Sequence, residues 1–221
     1  KTQIKTQIIS GASGALFLQI KHGAPFDVFI SADSVRPQKL EQQKLILSNS
    51  RKTYAIGQLA LLSMNKKAQL SDLTKTPKHF AIANPDTAPY GKAAKQTLQH
   101  LGLWQQYQKN LITGININQT FNQVRSQAVN SGLVANSQLV MNKIAGVVIP
   151  SNYHQPIQQQ LVIIKNSKGI SNAKKLSDFL LSPTIQQKIV NYGYTSNIVS
   201  KKQNKQLTNP FNQLETNHAK P

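Results

Sequence analysis

The chain has 221 residues, which is enough for one large domain or two small lobes with hydrophobic cores of their own. This length excludes a small peptide scaffold that depends on covalent cross-links or a metal for its stability. Hydrophobic residues make up 39% and charged residues 15%, and no apolar run reaches the roughly 20 residues of a membrane span. We therefore predict a soluble, globular protein. Lys and Arg number 26 against 7 Asp and Glu, and this net charge of +19 favours an anionic partner without identifying it. Cysteine is absent, which excludes disulfides, thiolate metal sites and cysteine nucleophiles.

Turn residues separate the predicted strands in the first half of the chain from the helices that follow them. The segment Gly-Ala-Ser-Gly at residues 11–14 lies between partly alternating and helical sequence, and Pro89 and Gly102 are typical of a helix start and of the position after a helix end. In chain order, the patterns predict a strand over residues 2–10, a helix over 15–20, a strand over 26–30, a helix ending near 43, strands over 54–64 and 79–83, and a helix over 89–101.

The second half of the chain continues this alternation. We predict a helix over residues 116–130 with Asn116 as its N-cap, strands over 132–135, 144–149 and 160–164, and two short helices over 171–190 with a break near Ser182 and Pro183. Residues 201–221 are rich in Asn, Gln and Lys, so we expect this tail to be mostly disordered. Because strands and helices alternate, the predicted fold class is α/β.

Several kinds of catalytic or metal site lack the residues that they need. The five histidines, at positions 22, 79, 100, 154 and 218, show none of the usual metal-ligand spacings, so we predict no metal site. The Gly-Ala-Ser-Gly segment lacks the residue that a nucleophile elbow places between its serine and the following glycine. Glycine-rich phosphate loops are missing, and carboxylates are too few for paired acid and base catalysis.

Three predicted helix starts instead carry features that suit an anion. They lie at residues 11–14, 89–91 and 116–117, each after a strand and with small or turn-forming residues. The first turn of a helix presents free N–H groups and the positive end of the helix dipole. The Ser13 hydroxyl adds a short neutral donor, so N–H and O–H groups together could enclose a tetrahedral oxyanion. The alternative is that Ser13 only caps its own helix.

A series of short motifs resembles one protein family. Gly-Ala-Ser-Gly at 11–14 and Gly-Ala-Pro-Phe-Asp-Val-Phe-Ile-Ser-Ala-Asp at 23–33 are similar to the periplasmic molybdate-binding proteins of ABC transporters. Four later segments of the chain resemble segments of the same family and occur in the same order. They are Tyr-Ala-Ile-Gly (54–57), Ile-Ala-Asn-Pro-Asp-Thr-Ala-Pro-Tyr-Gly (82–91), Leu-Gly-Leu-Trp (101–104) and Tyr-Gly-Tyr (192–194). The resemblance extends over about residues 4–195.

The resemblance implies a fold and a set of ligand-binding residues. The fold is the two-lobed periplasmic-binding-protein fold of class II, with mixed sheets flanked by helices and a ligand cleft between lobes. Lobe I would comprise residues 1–56 and 156–221, and lobe II residues 57–155. The ligand would be molybdate or tungstate, with no cofactor and no direct metal ligand. The implied binding residues are Ser13 by hydroxyl and N–H, Tyr90, and Ile117 by N–H, with Ala12, Gly14 and Asn116 beside them and Ala135 where some members have a tyrosine.

The resemblance also implies partners and a location. We expect a non-enzymatic, monomeric binding protein of the periplasm that delivers its oxyanion to a membrane permease with ATPase subunits. The chain opens at Lys1 without a secretory leader, which we interpret as a processed or truncated product. Family members usually begin with a further strand and a loop bearing Ser, Thr or Asn that also holds the anion. No such segment precedes Lys1, so we expect the site to be incomplete in this chain.

Three other functions stay open from the sequence. One is binding of another oxyanion such as sulfate, since ionic radius is not encoded in a readable motif. Another is the effector-sensing domain of a transcription regulator, although no helix-turn-helix segment supports it. The third is a nucleic-acid-binding module, for which the 6% aromatic content supplies few stacking residues.

Overall fold

A computed structural model describes residues 4–65 and 67–195 of the chain. The helices are α1 Ser13–Lys21, α2 Val35–Gln42, α3 Pro89–His100, α4 Trp104–Gln108, α5 Ile117–Arg125, α6 Asn136–Asn142, α7 Ile170–Leu181 and α8 Pro183–Asn191, with 3-10 helices at Leu70–Lys75 and Ser151–Tyr153. The strands are β1 Val28–Ser31, β2 Lys52–Gly57, β3 Leu59–Ser63, β4 Phe80–Ala83, β5 Leu111–Gly114, β6 Ser131–Ala135, β7 Val147–Val148 and β8 Ile157–Ile163.

These strands form two sheets. The small sheet has the order β1-β8-β2, with β8 antiparallel to both neighbours. The large sheet has the order β5-β4-β6-β3-β7, in which β4 is parallel to β5 and β6 whereas β3 is antiparallel to β6 and β7. The chain leaves the small sheet at Gln58 and returns to it after β7. The predicted class, α/β with mixed sheets, is confirmed.

Apolar residues cover both faces of the large sheet. Along β3, Leu59 and Leu61 belong to one buried cluster, whereas Ala60 and Leu62 belong to another on the opposite face. A strand that is buried on both sides requires such an uninterrupted apolar run. The small sheet packs against α1 and α2 through its own cluster, which includes Phe29, Leu40 and Val162.

The structure corrects two predicted strands. Residues 4–12 form no strand, and Ile8 is 84% exposed, because no strand of the described chain pairs with this segment. The single strand predicted over residues 54–64 is two strands, β2 and β3, which belong to different sheets. The apolar pattern continues across Gln58, so periodicity alone does not reveal the break.

Other boundaries differ less. The helix predicted over residues 116–130 ends at Arg125, and the strand predicted over 144–149 is only Val147–Val148. The break at Ser182 between α7 and α8 is confirmed. The predicted disordered tail lies outside the described residues, and the predicted lobe boundaries stay a prediction.

Candidate functional site

Ser13 is the first residue of α1, but its side chain does not cap that helix. The N-cap is Ala12, in an extended conformation, and α1 has no side-chain cap. The Ser13 Oγ instead accepts a hydrogen bond of 3.0 Å from the Ala32 N–H, which follows β1. The serine is 6% exposed. Since its oxygen accepts from the backbone, the hydroxyl hydrogen is left for a ligand to accept, and the capping alternative is wrong.

Gly14 lies against the segment that precedes α3. Its N–H donates to the Thr87 carbonyl oxygen at 3.0 Å, so this donor is already engaged. A Cβ at Gly14 would lie 2.9 Å from that oxygen and 3.1 Å from the Arg36 Nη2. Only glycine permits this approach, which joins a helix of the small sheet to a loop that follows β4 of the large sheet.

Tyr90 enters the site from the first turn of α3, directly after Pro89. It is 4% exposed, and its Oη accepts a hydrogen bond of 2.9 Å from the Gln159 Nε2. Burial, and to a lesser extent the neighbouring Tyr194 and Tyr54, raises the pKa of the Tyr90 phenol well above 10. The phenol therefore stays protonated at neutral pH. As at Ser13, the oxygen accepts from the protein and the hydroxyl hydrogen is left to be donated.

Asn116 and Ile117 begin α5. The Asn116 Oδ1 accepts from the Gln119 N–H at 2.9 Å, which confirms the predicted N-cap. Ile117 is the first helical residue, and first-turn N–H groups have no acceptor inside their helix. Within the described chain, the N–H groups of Ile117 and Ser13 have no hydrogen-bond partner. Both are therefore donors open to a ligand.

Ala135 differs from these positions. It ends β6 and is 3% exposed, and its N–H donates to the Gln138 Oε1 at 3.1 Å. Because its side chain is a methyl group and its N–H is engaged, Ala135 contributes apolar packing surface and no hydrogen-bond donor.

Two apolar clusters bring the predicted positions together. Ala12 packs with Ala83 and Ala88, and Ile117 packs against the same small cluster. Ile117 also borders the large-sheet cluster that contains Tyr90 and Ala135. The residues predicted from three separate helix starts thus meet at one seam between the two sheets.

Charge lies beside this seam. An open groove of about 430 Å³ runs between α2 and the start of α3, and Arg36, Lys39 and Lys92 line it. Arg36 pairs with Asp33 and donates to the Asp86 carbonyl oxygen at 3.1 Å, so its charge is partly neutralised. Across residues 4–65 and 67–195 there is no group of three or more His, Cys, Asp or Glu that could hold a metal ion.

The sequence analysis missed Gln159, Tyr54 and Gly57, which surround the Tyr90 hydroxyl. Tyr54 donates to the Gln159 Oε1 at 2.7 Å, and a Cβ at Gly57 would lie 2.4 Å from the Tyr90 Oη. The only signal in the sequence is the run of three glutamines at 158–160 at the start of a buried strand, where polar side chains need partners.

Comparisons with known proteins identify the family. A model of the family described as bacterial extracellular solute-binding protein matches residues 1–195. The molybdate-binding protein ModA of Azotobacter vinelandii is 39% identical over 193 residues, which cover 83% of this chain and 76% of that protein. The ModA of Rhodobacter capsulatus is 38% identical, covering 84% of this chain and 75% of that protein.

A solved structure agrees with these relatives. The periplasmic molybdate-binding protein of Azotobacter vinelandii superposes with a TM-score of 0.80 at 37% identity, covering 85% of this chain and 86% of that chain. These relatives are substrate-binding proteins and not enzymes, as predicted. None of the helices in the described ranges combines the length and hydropathy that a bilayer crossing demands. This chain belongs to the ModA family of bacterial extracellular solute-binding proteins.

Proposed function

We propose that this chain binds molybdate or tungstate at the seam between its two sheets and delivers it to an ABC importer. The observation that carries the proposal is the state of two hydroxyl groups. Ser13 Oγ and Tyr90 Oη each accept a hydrogen bond from a protein N–H, so each is left with a hydrogen to donate. The open N–H groups of Ser13 and Ile117 add two more donors. The names of the relatives supply the identity of the oxyanion.

A site built from donors alone selects against protonated anions. Molybdate and tungstate are fully deprotonated tetrahedral dianions at neutral pH and accept at every oxygen. An anion that carries a proton, such as phosphate, would place its own donor against a donor of the site, which costs the free energy of an unpaired buried group. We therefore infer that molybdate, tungstate and sulfate, which carry no proton at neutral pH, bind more tightly than phosphate.

The two sheets would form the cores of two lobes, divided at about residues 56–57 and 155–156. The ligand would touch both, through Ser13 near the small sheet and Tyr90 and Ile117 beside the large one. A ligand that contacts both lobes stabilises the closed arrangement and shifts the population toward it. The closed, monomeric form would then dock on a permease, with ATPase subunits behind it, on the periplasmic side of the membrane.

A calorimetric titration tests the proposal with four anions: molybdate, tungstate, sulfate and phosphate. We expect saturable binding of the first two. The variant Ser13→Ala should weaken molybdate binding about tenfold or more, because it removes a donor to a charged group that is worth roughly 1.5–3 kcal/mol. The site would be misassigned if Ser13→Ala bound molybdate as tightly as the parent chain.

A matched control is Ser50→Ala. Ser50 is also buried, at 7% exposure, and its Oγ accepts from the Ile163 N–H at 3.1 Å, but it lies outside the proposed site. This substitution should lower stability by about 1 kcal/mol and leave molybdate affinity unchanged. If none of the four anions bound, either to the parent chain or to the chain extended by the N-terminal strand and loop that the family resemblance implies, the proposed function itself would be wrong.

A further inference from the structure

Gln159 joins the two sheets through one hydrogen-bonded chain. It lies on β8 of the small sheet, and α3, which carries Tyr90, packs against β4 of the large sheet. The Tyr54 hydroxyl donates to the Gln159 Oε1 at 2.7 Å, and the Gln159 Nε2 donates to the Tyr90 Oη at 2.9 Å. All three side chains are buried or half-buried.

The two hydrogen bonds of Gln159 determine the direction in which the Tyr90 hydroxyl donates its own hydrogen. A glutamine amide has one end that only accepts and one end that only donates. Because Tyr54 donates to the carbonyl end, the NH₂ end faces Tyr90, and the Tyr90 oxygen acts as an acceptor there. The Tyr90 hydroxyl therefore does not donate to Gln159, and its hydrogen remains available to another acceptor. Burial raises the pKa of Tyr54, which keeps that hydroxyl a donor at neutral pH.

Packing holds the Tyr90 hydroxyl in this arrangement. A Cβ at Gly57 would lie 2.4 Å from the Tyr90 Oη and 2.9 Å from the Gln159 Nε2. Glycine at the end of β2 therefore makes room for the contact between the phenol and the amide. A hydroxyl with so little space has few orientations, and a fixed donor binds an anion without losing rotational freedom at that moment.

We propose that Gln159 is a positioning residue of the oxyanion site. Its amide donates to the Tyr90 oxygen, so that the Tyr90 hydroxyl donates its hydrogen to the ligand, and this arrangement depends on contact between the two sheets. The inference rests on the proposed function, because the ligand that accepts from Tyr90 is the oxyanion. Gln159 does not need to touch the ligand in this role. It acts through the oxygen of Tyr90 and, behind it, through Tyr54.

A double-mutant cycle on the full chain tests this role, with molybdate as the probe and calorimetry as the measurement. We expect Gln159→Met to weaken molybdate binding about five- to tenfold, since the freed phenol can turn its hydrogen away from the ligand. In the Tyr90→Phe background, the same Gln159→Met substitution should change affinity less than twofold. A purely structural effect would instead persist in both backgrounds.

The matched control is Gln160→Met, one residue along the same strand. Gln160 is 7% exposed, compared with 4% for Gln159, but its amide bonds Thr53 and Arg51 rather than Tyr90. Neighbouring strand residues point to opposite faces, so this variant removes a buried glutamine without touching the phenol. It should lower thermal stability and leave molybdate affinity within twofold.

The outcomes separate the two proposals. If molybdate binds neither the parent chain nor the chain extended by the N-terminal strand and loop that the resemblance implies, the proposed function is overturned and this inference falls with it. If the parent chain binds but Gln159→Met binds equally well, or loses as much affinity in the Tyr90→Phe background, only the positioning role is overturned. Should Gln159→Met not fold, Tyr54→Phe replaces it in the cycle, with an expected loss of two- to threefold that disappears without the Tyr90 hydroxyl.

Discussion

His154 is a titratable residue at the return from the large sheet to the small sheet. Partial burial lowers the pKa of its imidazole below 6.5, against a smaller opposite effect from the hydrogen bond of 2.8 Å between its Nδ1 and the Gln155 carbonyl oxygen. A histidine whose pKa is lowered in the folded state binds its proton at a lower pH there than in the unfolded state. As pH falls below 6.5, the unfolded chain binds protons first, so the free energy of unfolding decreases.

We predict that part of the acid sensitivity of this protein depends on His154. Denaturant unfolding at a series of pH values between about 7.5 and 5 should show a smaller loss of stability in His154→Gln than in the parent chain, because the titrating group is gone. Asn152→Ala, at an exposed and non-titrating position of the same turn, is the control and should retain the parent slope. Parallel curves for all three proteins would contradict the assignment.

At the scale of single residues, the sequence predicted candidate positions whose placement follows from local structure. Ser13, Tyr90 and Ile117 lie in the first turns of their helices, and the first-turn rule applies to each from a few neighbouring residues. Gln159 acts on Tyr90 across 69 positions of the chain, and no local rule brings those two side chains together. The engaged N–H group of Gly14 was unpredictable for the same reason, since its acceptor is the carbonyl oxygen of Thr87, whereas the Ala135 N–H donates to Gln138, only three residues along the chain.

The close packing of α3 against the large sheet depends on one glycine. A Cβ at Gly91 would lie 2.2 Å from the Ala83 carbonyl oxygen and 2.6 Å from the Asn84 carbonyl oxygen, both of them backbone atoms at the end of β4. Backbone cannot rotate away as a side chain can, so an added methyl group must push the helix outward. That movement would carry Tyr90 with it.

We predict that Gly91→Ala destabilises the protein by about 1–3 kcal/mol, despite the better helix propensity of alanine. The control Gln99→Ala changes an exposed position of the same helix and should alter stability by less than about 0.5 kcal/mol. Thermal or denaturant unfolding measures both. A Gly91→Ala protein as stable as its parent would show that α3 is not fixed by this contact, and its molybdate affinity would then be expected to stay unchanged.

At the scale of elements, local patterns predicted six of the eight described helices and most of the buried strands, but they missed α4, α6 and β5 and did not show how strands divide between sheets. The caps of α3 and α5 lie within a few residues, so their starts were predictable. The segment at residues 4–10 has a partly alternating pattern but no neighbour to pair with in the described chain. A strand exists only where a partner supplies its hydrogen bonds, and that partner is a property of the whole fold.

The net charge of +19 belongs to the whole molecule rather than to the proposed site. The donors at the seam, from Ser13, Tyr90 and Ile117, are uncharged, and the nearby Arg36 is paired with Asp33. Surface lysines can raise the rate at which an anion approaches, but this long-range attraction is screened within about 10 Å at moderate salt. Affinity for a small oxyanion then depends on short hydrogen bonds that salt does not screen.

We therefore predict a weak salt dependence of molybdate binding. Between about 50 and 200 mM NaCl, the dissociation constant should rise by less than about threefold, whereas a protein that neutralises six to ten DNA phosphates would lose roughly 10³–10⁵ in affinity. Calorimetry with molybdate, alongside a titration with duplex DNA of mixed sequence as the control, separates the two behaviours. A hundredfold loss of molybdate affinity over this range would mean that Arg36 and the groove lysines, rather than the neutral donors, hold the anion.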